Sequence, residues 1–256
     1  MNKFIKWKER LTRQFEAGKA KVELHAAPPT YPADDSMPVE EARQKLDQHI
    51  DDFIRVAAER NAEPANPFEA FVEFEAPPPP VHASRIPTGV GKTQRFAARL
   101  ARYILALRAA DNTRRMATRS WLYLVPTHRL GEDIAEHFRA HGLTAKVYRG
   151  RNAPDPNIPG NMERPKDEQV RMCLNLEQVR LATSCGKDIG ESCCKNKQQQ
   201  CAFYDECGYQ HQLRGNQPDV WIAAHNMLYH PQKKFGEVVG VVIDETFYKK
   251  GISGIE

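Results

Sequence analysis

Apolar residues recur at the three- and four-residue spacing of amphipathic helices in five stretches of the chain. This spacing predicts helices over residues 3–17, 38–60, 93–110, 129–140 and 167–183. The first has a basic opposite face, which fits an arm for nucleic acid or a membrane surface as well as a helix docked on its own domain. The second has an acidic surface, to which we assign no chemistry.

Short runs of β-branched and aromatic residues separate these helices and predict strands. The strands are expected at residues 81–86, 120–125, 145–148, 219–224 and 238–243. Strands that alternate with amphipathic helices are typical of an α/β domain whose parallel sheet carries helices on both faces. We therefore predict the α/β fold class.

Proline-rich segments suggest the domain organisation. Residues 77–80 are four consecutive prolines, a stiff stretch that we take as a boundary. The prediction is a helical N-terminal extension with a Pro-rich linker over residues 1–80 and a main domain over residues 81–256. A Cys-rich insertion is expected within the main domain at residues 167–215.

Composition indicates a hydrophilic chain with an uneven charge. Mean hydropathy is −0.64 and the net charge is +4. Residues 22–80 carry four Lys or Arg against thirteen Asp or Glu, whereas residues 81–256 carry twenty-six against eighteen. The basic half is compatible with a polyanionic partner. Since there is no long apolar run and no secretory signal, we expect a cytoplasmic protein without a membrane partner.

The stretch from Ile86 to Thr93 has the composition of a phosphate-binding loop. Its glycines let the backbone approach an anion, its lysine supplies positive charge, and the helix that follows presents N-terminal amides. The first glycine of the full pattern is replaced by Ile86, so the match is partial. The predicted nucleotide contacts are Thr88, Gly89, Val90, Gly91, Lys92 and Thr93.

An acidic pair follows the most apolar strand. Asp244 and Glu245 come directly after residues 238–243, and the carboxyl ends of parallel strands meet at one sheet edge. We expect Asp244 to bind Mg²⁺ opposite Thr93 and Glu245 to orient the water that attacks the γ-phosphate. Lys92, Asp244 and Glu245 are thus the predicted catalytic residues.

Five of the six cysteines lie within residues 185–207. Such a local cluster favours a metal or iron–sulfur site over a disulfide framework. The candidate ligands are four of the five residues Cys185, Cys193, Cys194, Cys201 and Cys207. The spacing leaves an Fe–S cluster, Zn²⁺ and free thiols open. Cys173 is expected to be a buried thiol, and His211 is a further ligand candidate for zinc.

Three motifs in this order resemble those of superfamily-2 helicases, the DEAD/DEAH-like ATPases. Residues 87–93 resemble motif I, residues 124–130 resemble motif Ia, and residues 242–245 resemble motif II. The four-cysteine interval before motif II is similar to that of the iron–sulfur helicases of the XPD and DinG type. Residues 219–229 loosely resemble the stretch that precedes motif II in those proteins.

This resemblance implies a RecA-like domain that uses ATP, Mg²⁺ and an Fe–S cluster, with zinc as the alternative, and binds single-stranded DNA. It implies backbone contacts from Thr127 and Arg129, while Tyr204 and Tyr209 could stack on bases or pack the Cys-rich region. It also implies a second RecA-like domain, for which the residues after Glu245 are too few. We therefore expect a truncated or split gene product, whose second domain a further chain could supply, with weak ATP binding and little hydrolysis or unwinding by this chain alone. The alternative is a metal-containing binding module for nucleic acid or protein, with a vestigial phosphate loop.

Overall fold

The computed structural model of this 256-residue chain describes residues 37–60, 81–84, 89–110, 119–229 and 233–244. The predicted N-terminal helix and the four consecutive prolines lie outside these ranges. All structural statements below concern the described residues.

Helices and strands alternate along most of the described chain. The helices are α1 (Val39–Arg60), α2 (Lys92–Ala110), α3 (His128–Ala140), α4 (Leu176–Ser184) and α5 (Gly208–His211). The strands are β1 (Arg119–Val125), β2 (Ala145–Val147), β3 (Val220–Ala224) and β4 (Glu237–Ile243). Within the described ranges, none of the helices has the length and apolar content needed to traverse a lipid bilayer.

The four strands form one parallel sheet in the order β2-β3-β1-β4. The predicted α/β class and parallel sheet are therefore confirmed. The strand predicted over residues 81–86 is not seen in its described part, because residues 81–84 have no strand conformation. Residues 85–86 lie outside the described ranges. Strand β1 is central and almost wholly buried, whereas Val241 of β4 is 41% exposed.

The first face of the sheet is covered by α1, α2 and α3. Side chains of β1 alternate between the two faces, and Trp121, Tyr123 and Val125 point to this one. The predicted apolar stripe of α1 packs here through Leu46, Ile50 and Ile54, with Phe53 partly buried. Helix α1, which the sequence assigned to the N-terminal extension, thus shares a hydrophobic core with the sheet.

Two arginines of α2, Arg95 and Arg99, pair with an aspartate of α1. Oδ2 of Asp47 accepts hydrogen bonds of 2.8 Å from Arg95 and 2.7 Å from Arg99. Arg99 also pairs with Asp51. The acidic surface of α1 therefore docks onto the basic side of α2 and helps to hold the two helices together.

The second face is covered by the Cys-rich segment. Leu122, Leu124 and Trp221 of the sheet pack there against Met172 and Phe235. The helices on this face are short, and much of the cover is loop and turn. Both faces of the sheet thus carry helices, as predicted, but the helices on the second face are shorter than those on the first.

The helix predicted over residues 167–183 is correct only for its second half. The amide of Met172 donates to Ala153 and that of Cys173 donates to Arg151, so this part of the chain pairs with the loop before it. Helix α4 begins after Asn175, whose side chain caps it by accepting from the amide of Gln178. A turn at residues 166–168 and this pairing of residues 170–173 therefore replace the first half of the predicted helix.

Candidate functional site

The glycine loop leads directly into helix α2. Gly89 and Gly91 have φ angles of +87° and +89°, in the left-handed region that side chains disfavour. Around each, the space where a Cβ would stand is open. The amide of Arg95 donates to the carbonyl of Gly91, so α2 starts at Lys92. The loop thus joins a glycine-permitted backbone to a helix N-terminus, which is the arrangement that favours a bound phosphate.

Thr93, in the first turn of α2, reaches the end of β4. Its hydroxyl donates a hydrogen bond of 3.1 Å to Oδ2 of Asp244. The amide of Asp244 donates to the carbonyl of Leu124, which extends the parallel pairing of β4 with β1. The structure therefore brings together a hydroxyl and a carboxylate that the sequence separates by 151 positions.

Tyr123 is a third member of this group and was not foreseen from the sequence. Its phenol donates a hydrogen bond of 3.0 Å to the same Oδ2 of Asp244. Burial and the nearby charge of Asp244 raise the pKa of Tyr123 far above its ordinary value. The phenol therefore stays protonated and acts as a donor. A tyrosine within an apolar strand looks like a core residue, so the pattern alone offered no signal.

His225 contacts the backbone of the same aspartate. It is fully buried, and its Nε2 lies 2.8 Å from the carbonyl oxygen of Asp244. Since a carbonyl only accepts, Nε2 carries the proton. Nδ1 is buried and has no hydrogen-bond partner among the described residues. The available signal was the position of His225 at the end of a strand that neighbours β1, which places it near the same sheet edge.

Other predicted nucleotide residues lie partly within the description. Lys92 is partly exposed at the start of α2, and Val90 is buried. Thr88 and Glu245 lie outside the described residues. The structure thus positions the loop from Gly89 onward and one of the two predicted carboxylates.

The predicted nucleic-acid contacts follow β1 at the same sheet edge. Thr127 is the N-cap of α3, where its hydroxyl oxygen accepts from the amide of Leu130 at 3.3 Å. Thr127 and Arg129 are both exposed. The hydroxyl of Thr127 thus has a structural role as a cap, and Arg129 extends into solvent from the first turn of the helix.

Five cysteines line one small pocket on the second face of the sheet, and they are not the five expected. The pocket, of about 10 Å³, is lined by Cys173, Cys193, Cys194, Cys201 and Cys207, with Asn175, Phe203 and Tyr204 among its other walls. Cys185 lies outside this pocket and is exposed at the C-terminal end of α4. All six cysteines are free thiols.

Other residues proposed for this region have defined contacts. Tyr209 is 5% exposed and packs in the core of the second face, so it does not offer a stacking surface. Tyr204 is partly exposed, with cations of Lys195 and Arg214 over its ring. His211 is exposed and its Nε2 contacts the carbonyl of Asp205.

A cation lies against the cysteine pocket. The guanidinium of Arg151 is 3.9 Å from the sulfur of Cys194 and stacks on Tyr209, 4.0 Å from the ring centroid. Burial raises the pKa of the Cys173 and Cys193 thiols. Within the described ranges, no group of three or more His, Cys, Asp or Glu side chains is already arranged to hold a metal ion.

Comparison of this chain with protein-family models, curated proteins and solved structures found no match. Functional assignment therefore depends on the geometry of the two clusters described above.

Proposed function

We propose that this chain is an ATP·Mg²⁺-binding motor domain of a helicase-like ATPase, with a RecA-like arrangement of its parallel sheet. The observation that supports this most is the hydrogen bond between Thr93 and Asp244. A hydroxyl at the start of a glycine-loop helix and a carboxylate at the end of a parallel strand are the pair that a P-loop enzyme needs around its metal ion.

The glycine loop and helix α2 are proposed to hold the triphosphate. The left-handed backbone at Gly89 and Gly91 leaves room for phosphate oxygens. The amides at the N-terminus of α2 favour negative charge, and the ammonium of Lys92 adds a point charge. These contacts orient the phosphates without any base-specific interaction, so they select a polyphosphate rather than a particular nucleobase.

The side chains around Asp244 fit a magnesium ion held jointly by protein and phosphate. Mg²⁺ prefers oxygen ligands and is commonly bound through one or two carboxylates together with substrate phosphates. Thr93 and Asp244 supply a hydroxyl and a carboxylate, so the lack of a three-ligand protein cluster in the described part of the chain is compatible with such a site. The ion would neutralise charge on the phosphate oxygens.

The remaining roles follow from the position of each residue. Tyr123 and His225 hold Asp244 from two sides, one at its carboxylate and one at its carbonyl. Glu245, the next residue along the chain, is proposed to orient the attacking water. Thr127 and Arg129 are proposed to contact the backbone of single-stranded DNA, so that hydrolysis at one sheet edge is coupled to movement of a strand bound at the same edge.

A titration with a fluorescent ATP analogue, with Mg²⁺ and with a chelator, tests the nucleotide site. We expect Lys92→Ala to weaken binding at least about tenfold, or about 1.4 kcal/mol. Asp244→Asn should weaken it only when Mg²⁺ is present. Lys187→Ala is the matched control, because it removes the same charge from an exposed position in the Cys-rich segment.

Two results would contradict the proposal. If Lys92→Ala binds the nucleotide as tightly as the unmodified chain does, the glycine loop is vestigial and the chain is a binding module. If Asp244→Asn leaves the effect of Mg²⁺ unchanged, the ion is not held at this aspartate. DNA-stimulated ATP hydrolysis by the same samples then measures whether bound nucleotide is turned over.

A further inference from the structure

Backbone hydrogen bonds place the segments that carry the pocket cysteines. Which cysteines line the pocket therefore does not depend on side-chain rotamers alone. The amide of Cys173 donates to the carbonyl of Arg151 at 3.0 Å. The amide of Tyr209 donates to the carbonyl of Met172 at 2.9 Å, and the thiol of Cys207 donates to the same oxygen at 3.4 Å. Cys173 and Cys207 are therefore held side by side.

A second set of contacts brings the other cysteines to the same place. The amide of Cys201 donates to the carbonyl of Cys194 at 2.8 Å. The thiol of Cys193 donates to the carbonyl of Gln178 in helix α4 at 3.3 Å. Asn175, which caps that helix, points its Nδ2 at the sulfur of Cys201 from 3.9 Å. Three short stretches, residues 173–179, 193–194 and 201–210, thus meet around one pocket.

The charge around the pocket favours an anionic occupant. Arg151 is partly buried, and its Nε has no hydrogen-bond partner among the described residues. Its guanidinium contacts the sulfur of Cys194, and among the described residues no carboxylate forms an ion pair with it. A buried guanidinium is costly unless a negative group lies nearby. Thiolates bound to a metal carry net negative charge and would supply that group.

We propose that Cys173, Cys201, Cys207 and at least one of Cys193 and Cys194 are the ligands of a thiolate-bound metal centre, and that Cys185 is not. The chemistry required is that of a thiophilic metal, which zinc and iron–sulfur clusters share. Arg151 is the counter-cation of this centre. The inference is independent of the nucleotide site, because the two clusters lie on different elements and share no residue.

The size of the pocket also bears on the kind of metal centre, a single ion or a cluster. A volume of about 10 Å³ is close to the room that one water molecule requires. No three of the described side chains stand in metal-binding geometry here, so a single tetrahedral ion requires a rearrangement of the thiols, and a cluster of several iron and sulfur atoms requires the cysteines to move apart. A single ion and a cluster would use the same thiolates, and the absorption spectrum of the protein distinguishes them.

The test is metal analysis of the full chain purified without oxygen after growth with both iron and zinc. We expect close to one centre per chain, and the same content in Cys185→Ser. Cys173→Ser and Cys201→Ser should each lose most of the metal. A band near 400 nm with iron in the sample identifies a cluster, and a colourless sample with zinc identifies a single ion; either supports the proposal.

The proposal is overturned if Cys185→Ser loses the metal while Cys173→Ser keeps it, or if the unmodified chain contains neither metal. A second measurement does not depend on the folding of variants. Thiol-reactive dye added to the unmodified chain should label Cys185 rapidly, and a strong chelator should expose the pocket cysteines to labelling, as shown by peptide mapping. Equal labelling with and without the chelator would also overturn it. Nucleotide binding by the same samples reports on the other site separately.

Discussion

The hydroxyl of Thr93 and the carboxylate of Asp244 are joined by a hydrogen bond of 3.1 Å across the carboxyl edge of the sheet. Thr93 belongs to the first turn of α2, and Asp244 follows β4 directly. A hydrogen bond to a charged group contributes about 1.5–3 kcal/mol, and a metal ion placed between the two groups would use the same oxygens. The pair is thus the point at which the proposed nucleotide and magnesium sites would meet.

Removing this hydroxyl should uncouple magnesium from nucleotide binding. We expect Thr93→Val to lower the affinity for an ATP analogue about tenfold in Mg²⁺ and to leave it nearly unchanged in the presence of a chelator. Thr93→Ser keeps the hydroxyl and serves as the control, with affinity within about threefold of the unmodified chain. Fluorescence titrations in both buffers measure this. An equal response of both variants to Mg²⁺ would show that the hydroxyl is not a ligand.

Sequence reasoning anticipated which hydroxyl and carboxylate would face each other, because each ends or begins an element with a recognisable pattern. It could not anticipate Tyr123, which is buried among apolar neighbours and resembles a core residue. It did not single out His225, although that residue follows a predicted strand directly. Which residues surround Asp244 depends on strand order, and β1 lies between β3 and β4 only in the folded sheet.

The cysteine pocket shows the same limit from another direction. Spacing along the chain groups Cys185 with the later cysteines and leaves Cys173 apart. In the folded chain the pairing of residues 151–155 with residues 170–173 carries Cys173 into the pocket, while Cys185 ends a helix in solvent. Backbone pairing between separate segments therefore determines which cysteines line the pocket, and sequence spacing alone does not predict it.

The ion pairs between α1 and α2 should contribute to stability in a pH-dependent way. Burial of Asp47 opposes its charged form, but hydrogen bonds and charges from Arg99 and Arg95 outweigh burial and lower the pKa of that carboxyl. Because the folded-state pKa is below the unfolded value of about 3.9, the stabilisation is present above that pH and is lost as the pH falls through the folded-state pKa.

We therefore expect Asp47→Asn to lower the free energy of unfolding by about 1–2 kcal/mol at neutral pH. The difference from the unmodified chain should shrink below about pH 4. Urea unfolding at several pH values measures both effects. Asp52→Asn, on the same helix, removes an exposed ion pair with Arg55 and should cost less than about 0.5 kcal/mol. A pH-independent difference for Asp47→Asn would mean that the carboxylate charge is not what stabilises the contact.

Gly240 should resist any side chain, because the ring of Trp121 occupies the space that a Cβ would need. An ideal Cβ there would overlap a ring carbon of Trp121. The pairing of β1 with β4 is also irregular at this point. We expect Gly240→Ala to destabilise the fold by about 1–3 kcal/mol through overpacking. Gly150→Ala, where a Cβ meets open space, is the control and should change stability by less than about 0.5 kcal/mol in denaturant unfolding.

Arg129 should contribute to binding of single-stranded DNA if the sheet edge tracks a nucleic-acid backbone. We expect Arg129→Ala to weaken binding of an oligonucleotide and to reduce the salt dependence by about 0.7, which corresponds to one phosphate contact. Arg102→Ala removes the same charge from an exposed position on α2 and should leave the slope unchanged. Fluorescence anisotropy at several salt concentrations measures the slope. Identical slopes for the two variants would place the DNA elsewhere.

His225 should be needed to hold Asp244 in place, since it is the buried donor to the carbonyl of that residue. His225→Ala leaves both a cavity and an unpaired carbonyl, and we expect it to destabilise the fold by about 2–4 kcal/mol. His225→Gln keeps a donor at a similar distance along the side chain and should recover part of this loss. His141→Ala, at the exposed end of α3, is the surface control.

Stability alone does not separate a packing role from a positioning role for His225, but magnesium dependence does. If the imidazole only fills space, His225→Gln binds the ATP analogue with the same response to Mg²⁺ as His225→Leu, which fills the pocket without a donor. If the imidazole positions Asp244, His225→Gln retains the response and His225→Leu loses about tenfold in Mg²⁺ but not in a chelator. Equal responses would reduce His225 to a core residue, because the carboxylate of Asp244 would then be positioned by Thr93 and Tyr123 alone.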